Sequence, residues 1–417
     1  MSLSEPTWVG ELDRRAGFAD LVVDRRFTAA RILVTAGGSP LGQVTVALDA
    51  GRATAAEVRR AVDEQLGALP DPPVPPAPPS PDEPVTVVIA TRGRPCSLER
   101  CVRAVLRGDH RALTVLVVDN DPDDDRTAEA VHRIGDPRVR YLREPRRGAS
   151  VGRNRGLHEA GTAIVAFTDD DTEPDRGWVR RLAGAFAADP DLACVSGPVL
   201  AARLETREEQ AADTALAWNK GFVARRFSLA EPPDDSSIFP FSPGLFGIGA
   251  NLAVRTDVVR ELGGFDEALG PGSATHGGED CELLVRVVLA GHVLGYEPSA
   301  YVWHHHRPDQ DALAAQMRGY AMGLAGFLTK IALDRHGRAV ALRRLPAALA
   351  QLRHIAQREV DAGPGMPAGA GLERLRGMAV GPWVYVWERR AVRRAGGRVP
   401  PLTDRAARSD RTDTSPR

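Results

Sequence analysis

The chain has 417 residues, enough for more than one domain and a substantial core. Hydrophobic residues make up 43% and charged residues 26%, and the net charge of −1 gives no reason to expect nucleic acid as a partner. The four cysteines have neither zinc spacing nor the density of a disulfide framework, so we expect thiols in a reducing cytoplasm. Residues 1–10 do not resemble a secretory signal, and no stretch reaches the ~18 apolar residues of a membrane span. The composition predicts a cytoplasmic protein, either soluble or peripheral to the membrane.

A proline-rich run at residues 70–81 is the clearest domain boundary, because such a run behaves as a stiff spacer. Thr54 and Glu57 have the spacing of a capping box at the start of a helix. The predicted elements before the spacer are strands at 30–36 and 43–48 and a helix at 54–69. We therefore predict a small α+β unit at residues 1–69, with a docking or interaction role, and a linker at 70–84. The spacer leads us to expect few contacts between this unit and the rest of the chain.

After the linker, strand and helix patterns alternate. Strands are predicted at residues 85–90, 113–118, 139–142 and 163–167. Helices are predicted at residues 97–107, 127–134, 149–160 and 176–188. This order is typical of the α/β class, with a mostly parallel sheet and helices on both faces.

From residue 310 onward the pattern turns helical. The predicted helices lie at residues 317–333, 339–359 and 371–394, and they mix apolar residues with many arginines. Two alternatives remain open. Such helices can pack on the preceding domain, or they can lie on an anionic membrane surface with their arginine side chains extended toward the headgroups. We assign residues 308–400 to a helical C-terminal extension and residues 401–417 to a disordered tail.

The most informative feature is an apolar run at residues 163–167 that ends in Asp169, Asp170 and Asp171. Carboxylates crowded after a buried strand repel one another unless a cation or hydrogen-bond donors balance them. In open α/β sheets, ligands bind at the carboxyl ends of the strands. The alternative is a solvated acidic turn.

Polar residues also follow other predicted strands. The first strand is followed by Thr91, Arg92 and Arg94. The second ends at Asp119, and a glycine-rich segment at residues 148–156 carries guanidinium groups suited to a diphosphate. Since the carboxyl ends of parallel strands meet at one edge, the sequence predicts an acidic metal site beside arginines, where Mg²⁺ or Mn²⁺ bridges a diphosphate.

Seven motifs, in the right order, resemble those of family 2 glycosyltransferases of the GT-A fold. They lie at residues 85–95, 117–120, 152–156, 167–171, 249–255, 263–266 and 277–286. The resemblance covers residues 85–307, which we predict to form the GT-A domain. It implies transfer of a sugar from a nucleotide-diphosphate donor to an acceptor hydroxyl, with Mn²⁺ or Mg²⁺ as cofactor.

The resemblance also implies roles on the donor side. Thr91 and Asp119 match positions that hold the nucleotide base, and Arg153 matches an arginine near the diphosphate. In the Asp-x-Asp pair, Asp169 faces the ribose and the metal, and Asp171 ligates the metal. The nucleotide-sugar site implied by the resemblance is Thr91, Arg92, Arg94, Asp119, Arg153, Asp169 and Asp170.

On the acceptor side, Asp280 matches the family's catalytic base, which implies an inverting transfer. A carboxylate there can deprotonate the acceptor hydroxyl as it attacks the anomeric carbon. The alternative is that Asp280 only caps a helix, in which we expect Glu282 and Arg286 to form an (i, i+4) pair. The other acceptor-side residues that we predict are Asn251, Glu279 and Trp303.

Three consecutive histidines occupy residues 304–306. In an extended segment, His304 and His306 share a face that His305 opposes. The position resembles glycosyltransferases in which a histidine completes the metal site, and we favour His304. Imidazole with carboxylate suits Mn²⁺ somewhat better than an all-oxygen site. The predicted ligands are Asp169, Asp171 and His304.

The residues argue against two other functions. A nucleotidyltransferase needs a phosphate-binding lysine after the first strand, and residues 91–95 contain none. A catalytically inactive sugar-binding or scaffold protein would have lost Asp171 or Asp280, and both are present. The sequence identifies neither the donor nor the acceptor, which could be a polysaccharide, lipid-linked or natural-product hydroxyl.

Overall fold

The computed structural model describes residues 5–67, 83–307, 309–344, 346–347, 357 and 370–402. The N-terminal unit contains β1 (Thr7–Asp13), β2 (Leu21–Val22), β3 (Ala29–Ala36), β4 (Ser39–Ala47), β5 (Arg52–Ala53) and α1 (Ala55–Leu66). β3 is the centre of a three-stranded sheet, with β1 parallel and β4 antiparallel to it. The capping box is confirmed, because Thr54 and Glu57 each accept the other's backbone N–H. β1 was not predicted, since its half-buried residues show no continuous apolar run.

The second unit is built around an eight-stranded, mostly parallel sheet, which confirms the predicted fold class. Its strands are β6 (Val85–Thr91), β7 (Leu113–Asn120), β8 (Val139–Glu144), β9 (Ile164–Asp169), β11 (Leu192–Ser196), β13 (Arg225–Phe227), β14 (Asn251–Arg255) and β15 (Val293–Tyr296). The spatial order is β13-β15-β11-β14-β9-β6-β7-β8. β9, β6, β7 and β8 are parallel neighbours, so their carboxyl ends meet at one edge, as the alternating pattern predicts.

A second, three-stranded sheet lies beside this edge. It consists of β10 (Thr172–Pro174), β12 (Val199–Ala201) and β16 (Val302–His304), with β16 in the centre. In its register, Thr172 and Ala201 flank His304, and Leu200 lies beside Trp303. Because side chains alternate along a strand, Trp303 and His304 face opposite sides of this small sheet. The sheet therefore connects the acidic turn before β10 to the histidines.

Most helices of the second unit cover the large sheet. The helices of this unit are α2 (Pro95–Leu106), α3 (Arg126–Ile134), α4 (Ala149–Glu159), α5 (Trp178–Ala188), α6 (Arg207–Leu216), α7 (Pro243–Phe246), α8 (Thr256–Glu261) and α9 (Glu279–Leu289). The glycine-rich segment predicted to bind a diphosphate is α4 itself. A side chain at Gly152 would meet Ala90, and one at Gly156 would meet Val88, so these glycines let α4 approach the sheet closely. This agrees with the helix predicted at residues 149–160.

The C-terminal extension contains α10 (Gln310–Leu333), α11 (Arg335–Leu342) and α12 (Ala370–Arg394). Most of the helix predicted at 339–359, and the predicted tail beyond residue 402, lie outside the described residues. α10 and α12 pack through small residues, because side chains at Gly377 and Gly381 would meet Ala321 and Ala325. Within the described part of the chain, no helix is both long and apolar enough to cross a membrane.

The N-terminal unit packs on the small sheet, contrary to the expectation of few shared contacts. Leu33 of β3 forms a buried cluster with Leu200 and Tyr301. The backbone N–H of Thr7 donates to the carbonyl of Leu204 at 3.0 Å. The spacer at residues 70–81 joins these parts in sequence without keeping them apart, because the surfaces that meet belong to segments far from it.

Candidate active site

The middle residue of the acidic triplet points into the protein. Asp170 is fully buried, with its Oδ2 accepting a hydrogen bond from the Thr91 hydroxyl at 2.5 Å and its Oδ1 2.9 Å from an Arg94 nitrogen. Burial raises the pKa of Asp170 to about 7, against the opposing effect of Arg94. Thr91, predicted to hold the nucleotide base, therefore orients the acidic turn in this structure.

Asp171 lies among cationic and imidazole groups. Its Oδ2 accepts from Arg94 at 2.9 Å and from Arg307 at 3.2 Å, and its Oδ1 lies 3.3 Å from Nε2 of His304. Burial acts to raise the pKa of Asp171, but His304 and the two guanidinium groups hold it well below its usual range. The structure thus keeps Asp171 ionised, as a metal ligand must be.

Arg153 connects the acidic triplet to the start of α9. This buried guanidinium donates to Asp169 Oδ1 at 2.7 Å and to Glu279 Oε1 at 2.6 Å. Burial, together with the nearby charge of Asp280, raises the pKa of Glu279 to about 7. Glu279 was predicted on the acceptor side, but it is buried against Arg153 and is not placed to touch an acceptor.

Asp280 lies next to this cluster. Its Oδ2 accepts from the backbone N–H of Gly249 at 2.9 Å, and its Oδ1 accepts from that of Cys281 at 2.7 Å. A Cβ atom at Gly249 would lie 3.2 Å from the Cβ of Asp280 and 3.3 Å from Arg153. The structure therefore brings Asp280, Arg153 and Asp169 together, as the motifs predict.

A divalent metal fits two of the three predicted ligands. Among the described residues, no group of three or more His, Cys, Asp or Glu side chains is placed to hold a metal. Asp169 is engaged by Arg153, whereas Asp171 and His304 are adjacent, and Nδ1 of His304 is buried without a hydrogen-bond partner. One carboxylate and one imidazole suit Mn²⁺ when phosphate oxygens complete its coordination. Of the three predicted ligands, the structure thus brings Asp171 and His304 together and pairs Asp169 with Arg153.

Asp119 lies at the end of β7, two strands from the triplet. The Tyr141 hydroxyl donates to its Oδ2 at 2.8 Å, and Thr127 forms a further side-chain hydrogen bond with this carboxyl. Burial raises the pKa of the carboxyl. Asp119 is thus buried and held by two side chains. Arg92 lies at the rim, where it pairs with Asp121 at 3.1 Å and Asp123 at 3.2 Å.

Two predicted acceptor-side residues are structural instead. The amide of Asn251 is buried, accepting from the Trp178 indole at 2.8 Å and donating to the carbonyls of Pro198 and Ala300. Trp303 packs with the cluster at the N-terminal unit, on the face of β16 opposite His304. A motif position alone does not reveal which way such a side chain points.

No role was predicted for Arg307 or Tyr320, which the structure places here with Trp218. Arg307 directly follows the histidines, and its position beside a predicted ligand was the available signal. Trp218 has its ring centroid 4.7 Å from that of His304 and 6.4 Å from that of Tyr320 on α10. Neither Trp218 nor Tyr320 belongs to a local motif, so only the fold brings them to the site.

The comparisons with known proteins agree with this geometry. Residues 86–254 match the family model for glycosyl transferase family 2. A pre-mycofactocin glycosyltransferase of Mycobacterium tuberculosis is 33% identical over 231 residues, covering 54% of this chain and 43% of that protein. A glucosyl-dolichyl phosphate glucuronosyltransferase of Haloferax volcanii is 28% identical over 191 residues, covering 45% of this chain and 57% of that protein.

The chain spans about half the length of these relatives. A solved mannosyltransferase of Pyrobaculum calidifontis, in complex with GDP-Man and Mn²⁺, has a TM-score of 0.47 and 20% identity, covering 75% of this chain and 90% of that one. The family match and the order of the strand-end motifs point to the same conclusion. The domain that spans residues 86–254 belongs to glycosyl transferase family 2.

Proposed function

We propose that the chain transfers a sugar from a nucleotide-diphosphate donor to an acceptor hydroxyl. The observation that carries this proposal is the convergence of Asp171 and His304 with Arg153, Asp169 and Asp280 at one edge of a family 2 domain. Hard oxygen and imidazole ligands beside guanidinium groups suit a metal-bound diphosphate. A carboxylate in the same cluster suits deprotonation of an acceptor.

On the donor side, Asp171 and His304 would hold Mn²⁺ or Mg²⁺, which would neutralise the leaving diphosphate. Asp119, at the end of β7, is the proposed contact for the nucleoside. Arg94 and Arg307, which pair with Asp171 in this structure, carry positive charge that the diphosphate can attract. Arg153 holds Asp169 in place.

On the acceptor side, Asp280 is the proposed general base of an inverting transfer. Its two oxygens accept backbone N–H groups, which fixes the orientation of the carboxylate. An oriented carboxylate facing an acceptor hydroxyl would take its proton during attack on the anomeric carbon.

The donor assignment can be tested with a panel of nucleotide sugars, measuring thermal stabilisation with and without Mn²⁺. In the native chain, at least one donor should bind far more tightly with Mn²⁺. Asp171→Ala should abolish that difference, whereas Asp123→Ala, in an exposed acidic loop, should preserve it. Unchanged Mn²⁺ dependence in folded Asp171→Ala would contradict the metal site.

We also propose that α12 contacts an anionic membrane surface. One face of this helix exposes Leu372, Leu375, Val380, Trp383 and Trp387, with Trp383 79% exposed. The opposite face packs on α10. The arginines at positions 390, 393 and 394 follow the apolar face at the end of the helix. Tryptophan and leucine beside arginine are typical of helices at the interface of anionic bilayers.

The membrane proposal predicts sedimentation with vesicles. The chain should bind vesicles that contain phosphatidylglycerol more strongly than neutral phosphatidylcholine vesicles. Trp383→Ser with Trp387→Ser should lose most of that binding. Equal vesicle binding by the native chain and this double variant would contradict the proposal. Formation of a dimer in the absence of vesicles would also contradict it, because a second copy of the chain would then cover this face.

A further inference from the structure

The segment Tyr301 to His306 carries the histidine side of the candidate site, and the N-terminal unit contacts both of its ends. At the first end, the Tyr301 hydroxyl lies 3.0 Å from Glu11 Oε2 on β1 and 2.9 Å from Asp175 Oδ1. The ring of Tyr301 is fully buried and packs on Leu33 of β3. The start of the segment is thus held by two strands of the N-terminal unit.

At the other end, the contact runs through a carboxylate. Arg31, also on β3, donates to Asp213 Oδ2 of α6 at 2.5 Å. The second oxygen of Asp213 lies 3.6 Å from Nε2 of the buried His306. Asp213 therefore stands between the guanidinium of one unit and an imidazole of the other.

These two ends bracket the candidate metal ligand. His304, the last residue of β16, lies two residues before His306, and their ring centroids are 5.2 Å apart. Trp218 packs against both rings, at 4.7 Å and 5.4 Å between centroids. A shift of His306 would therefore be transmitted to His304, and so to its 3.3 Å approach to Asp171.

We propose that the N-terminal unit is a positioning element for the metal site, and that Arg31 acts on it through Asp213 and His306. Arg31 contacts neither the acidic triplet nor a ligand, so it is a positioning residue. The proposal rests on the proposed function, since it treats Asp171 and His304 as metal ligands. Partners behind metal ligands commonly change metal affinity by about 10- to 100-fold when removed.

The N-terminal interface supplies a matched control. Arg26, from the same unit, pairs with Glu205 at 3.0 Å. Within the described part of the chain it forms no hydrogen bond or ion pair with the histidine segment. Arg26→Ala removes an arginine and an interface ion pair, as Arg31→Ala does. Only Arg31→Ala removes a partner of Asp213. Arg31→Lys keeps a cation near Asp213 and should retain part of the effect.

The test uses the full chain and two readouts. Binding of Mn²⁺ alone, followed by electron paramagnetic resonance, should weaken about 10-fold in Arg31→Ala and stay within about twofold in Arg26→Ala. Arg31→Lys should fall between them. Hydrogen exchange of a peptide that covers Tyr301 to His306 should be faster in Arg31→Ala than in the native chain, and unchanged in Arg26→Ala. The two variants should be compared at equal melting temperature.

Equal Mn²⁺ affinity and equal exchange in the two folded alanine variants would overturn the proposal. If the native chain binds no Mn²⁺, the proposed metal function fails, and hydrogen exchange alone decides the positioning role. Faster exchange confined to Arg31→Ala would then support it, and equal exchange would overturn it. If Arg31→Ala does not fold, Asp213→Asn takes its place with the same expected and contrary results.

Discussion

At the scale of single residues, Arg153 does more than its motif indicates. It is buried and holds Asp169 on one side and Glu279 on the other, so it fixes the distance between the donor-side turn and the start of α9. Buried ion pairs of this kind give little net stability but favour one arrangement of their neighbours. The position of Asp280, one residue after Glu279, follows from that arrangement.

Asp280 is the residue on which the mechanism depends most. Removing a positioned base typically lowers a rate by about 10² to 10⁴. Asp280→Asn should therefore reduce product formation by about that factor while donor affinity stays within a few-fold, because the carboxylate acts on the acceptor. Turnover, nucleotide affinity and melting temperature should be measured together. If Asp280 only caps α9, the variant would lose about 0.5–2 kcal/mol of stability and keep a near-normal rate. Retention of the donor's anomeric configuration would contradict inversion.

Glu279 predicts how stability varies with pH. Its pKa is raised from 4.5 to about 7 in the folded chain, by burial and by Asp280. Between these values the folded state binds a proton that the unfolded state releases, so the contribution of Glu279 to stability is complete below about pH 4.5 and declines as the pH rises to about 7. Glu279→Gln should remove that decline, which we expect to be on the order of 1–3 kcal/mol.

The measurement is urea unfolding at pH 5 and pH 7.5. The loss of unfolding free energy between these pH values should be smaller in Glu279→Gln than in the native chain. Asp170 also has a raised pKa, but it is present in both chains and its effect cancels. Glu373→Gln, on the surface of α12, serves as the control and should leave the pH dependence unchanged. An equal pH dependence in the native chain and Glu279→Gln would contradict the prediction.

At the scale of elements, the C-terminal helices join the family 2 domain through a buried charge cluster. Lys330 of α10 lies 2.7 Å from Asp266 and 2.8 Å from Glu282 of α9. Tyr385 of α12 donates to the same oxygen of Asp266 at 3.0 Å. Arg286 pairs with Glu282, which confirms the expected (i, i+4) pair. α9, α10 and α12 are thus linked at one point.

Lys330→Met should destabilise the chain by about 3–5 kcal/mol, because it leaves two buried carboxylates without their shared cation. Urea unfolding gives the free energy. The matched control is Arg376→Met, which removes an exposed pair with Glu373 on α12 and should change stability by no more than about 0.5 kcal/mol. Similar losses in both variants would mean that the cluster is not the link between these helices.

The sequence predicted four of the eight strands of the large sheet, β6 to β9, and it predicted the side-chain directions poorly, for a physical reason. A short, β-branched apolar run such as residues 164–167 favours a buried strand, and parallel strands bring their carboxyl ends together. Whether Asn251 or Trp303 faces the site depends on the register of neighbouring strands, which a single sequence does not show. Asp280 lies in the first turn of α9, near Arg153 and Asp169.

At the scale of the whole molecule, the spacer at residues 70–81 led to the wrong expectation about the N-terminal unit. A proline-rich run indicates that a linker is stiff, but it does not indicate whether the units on either side of it contact each other. Contacts between segments far apart in the sequence decide that. Leu33, Arg31 and Glu11 all reach residues more than 150 positions away. The unit therefore completes the surface of the small sheet that carries His304.

A truncated chain that begins at Asp82 should accordingly be less stable and bind Mn²⁺ more weakly than the full chain. Truncation exposes the buried side chains of Leu200 and Tyr301 to water and removes Arg31 from Asp213. Each fully exposed large apolar side chain costs about 1.5–3 kcal/mol, so we expect a fall in melting temperature of several degrees. A full chain whose spacer is replaced by glycine and serine of equal length should keep both properties, because the unit can still dock. Melting curves and Mn²⁺ titrations on the three chains separate the effects. An unchanged melting temperature with unchanged Mn²⁺ affinity after truncation would restore the view that the N-terminal unit is separable.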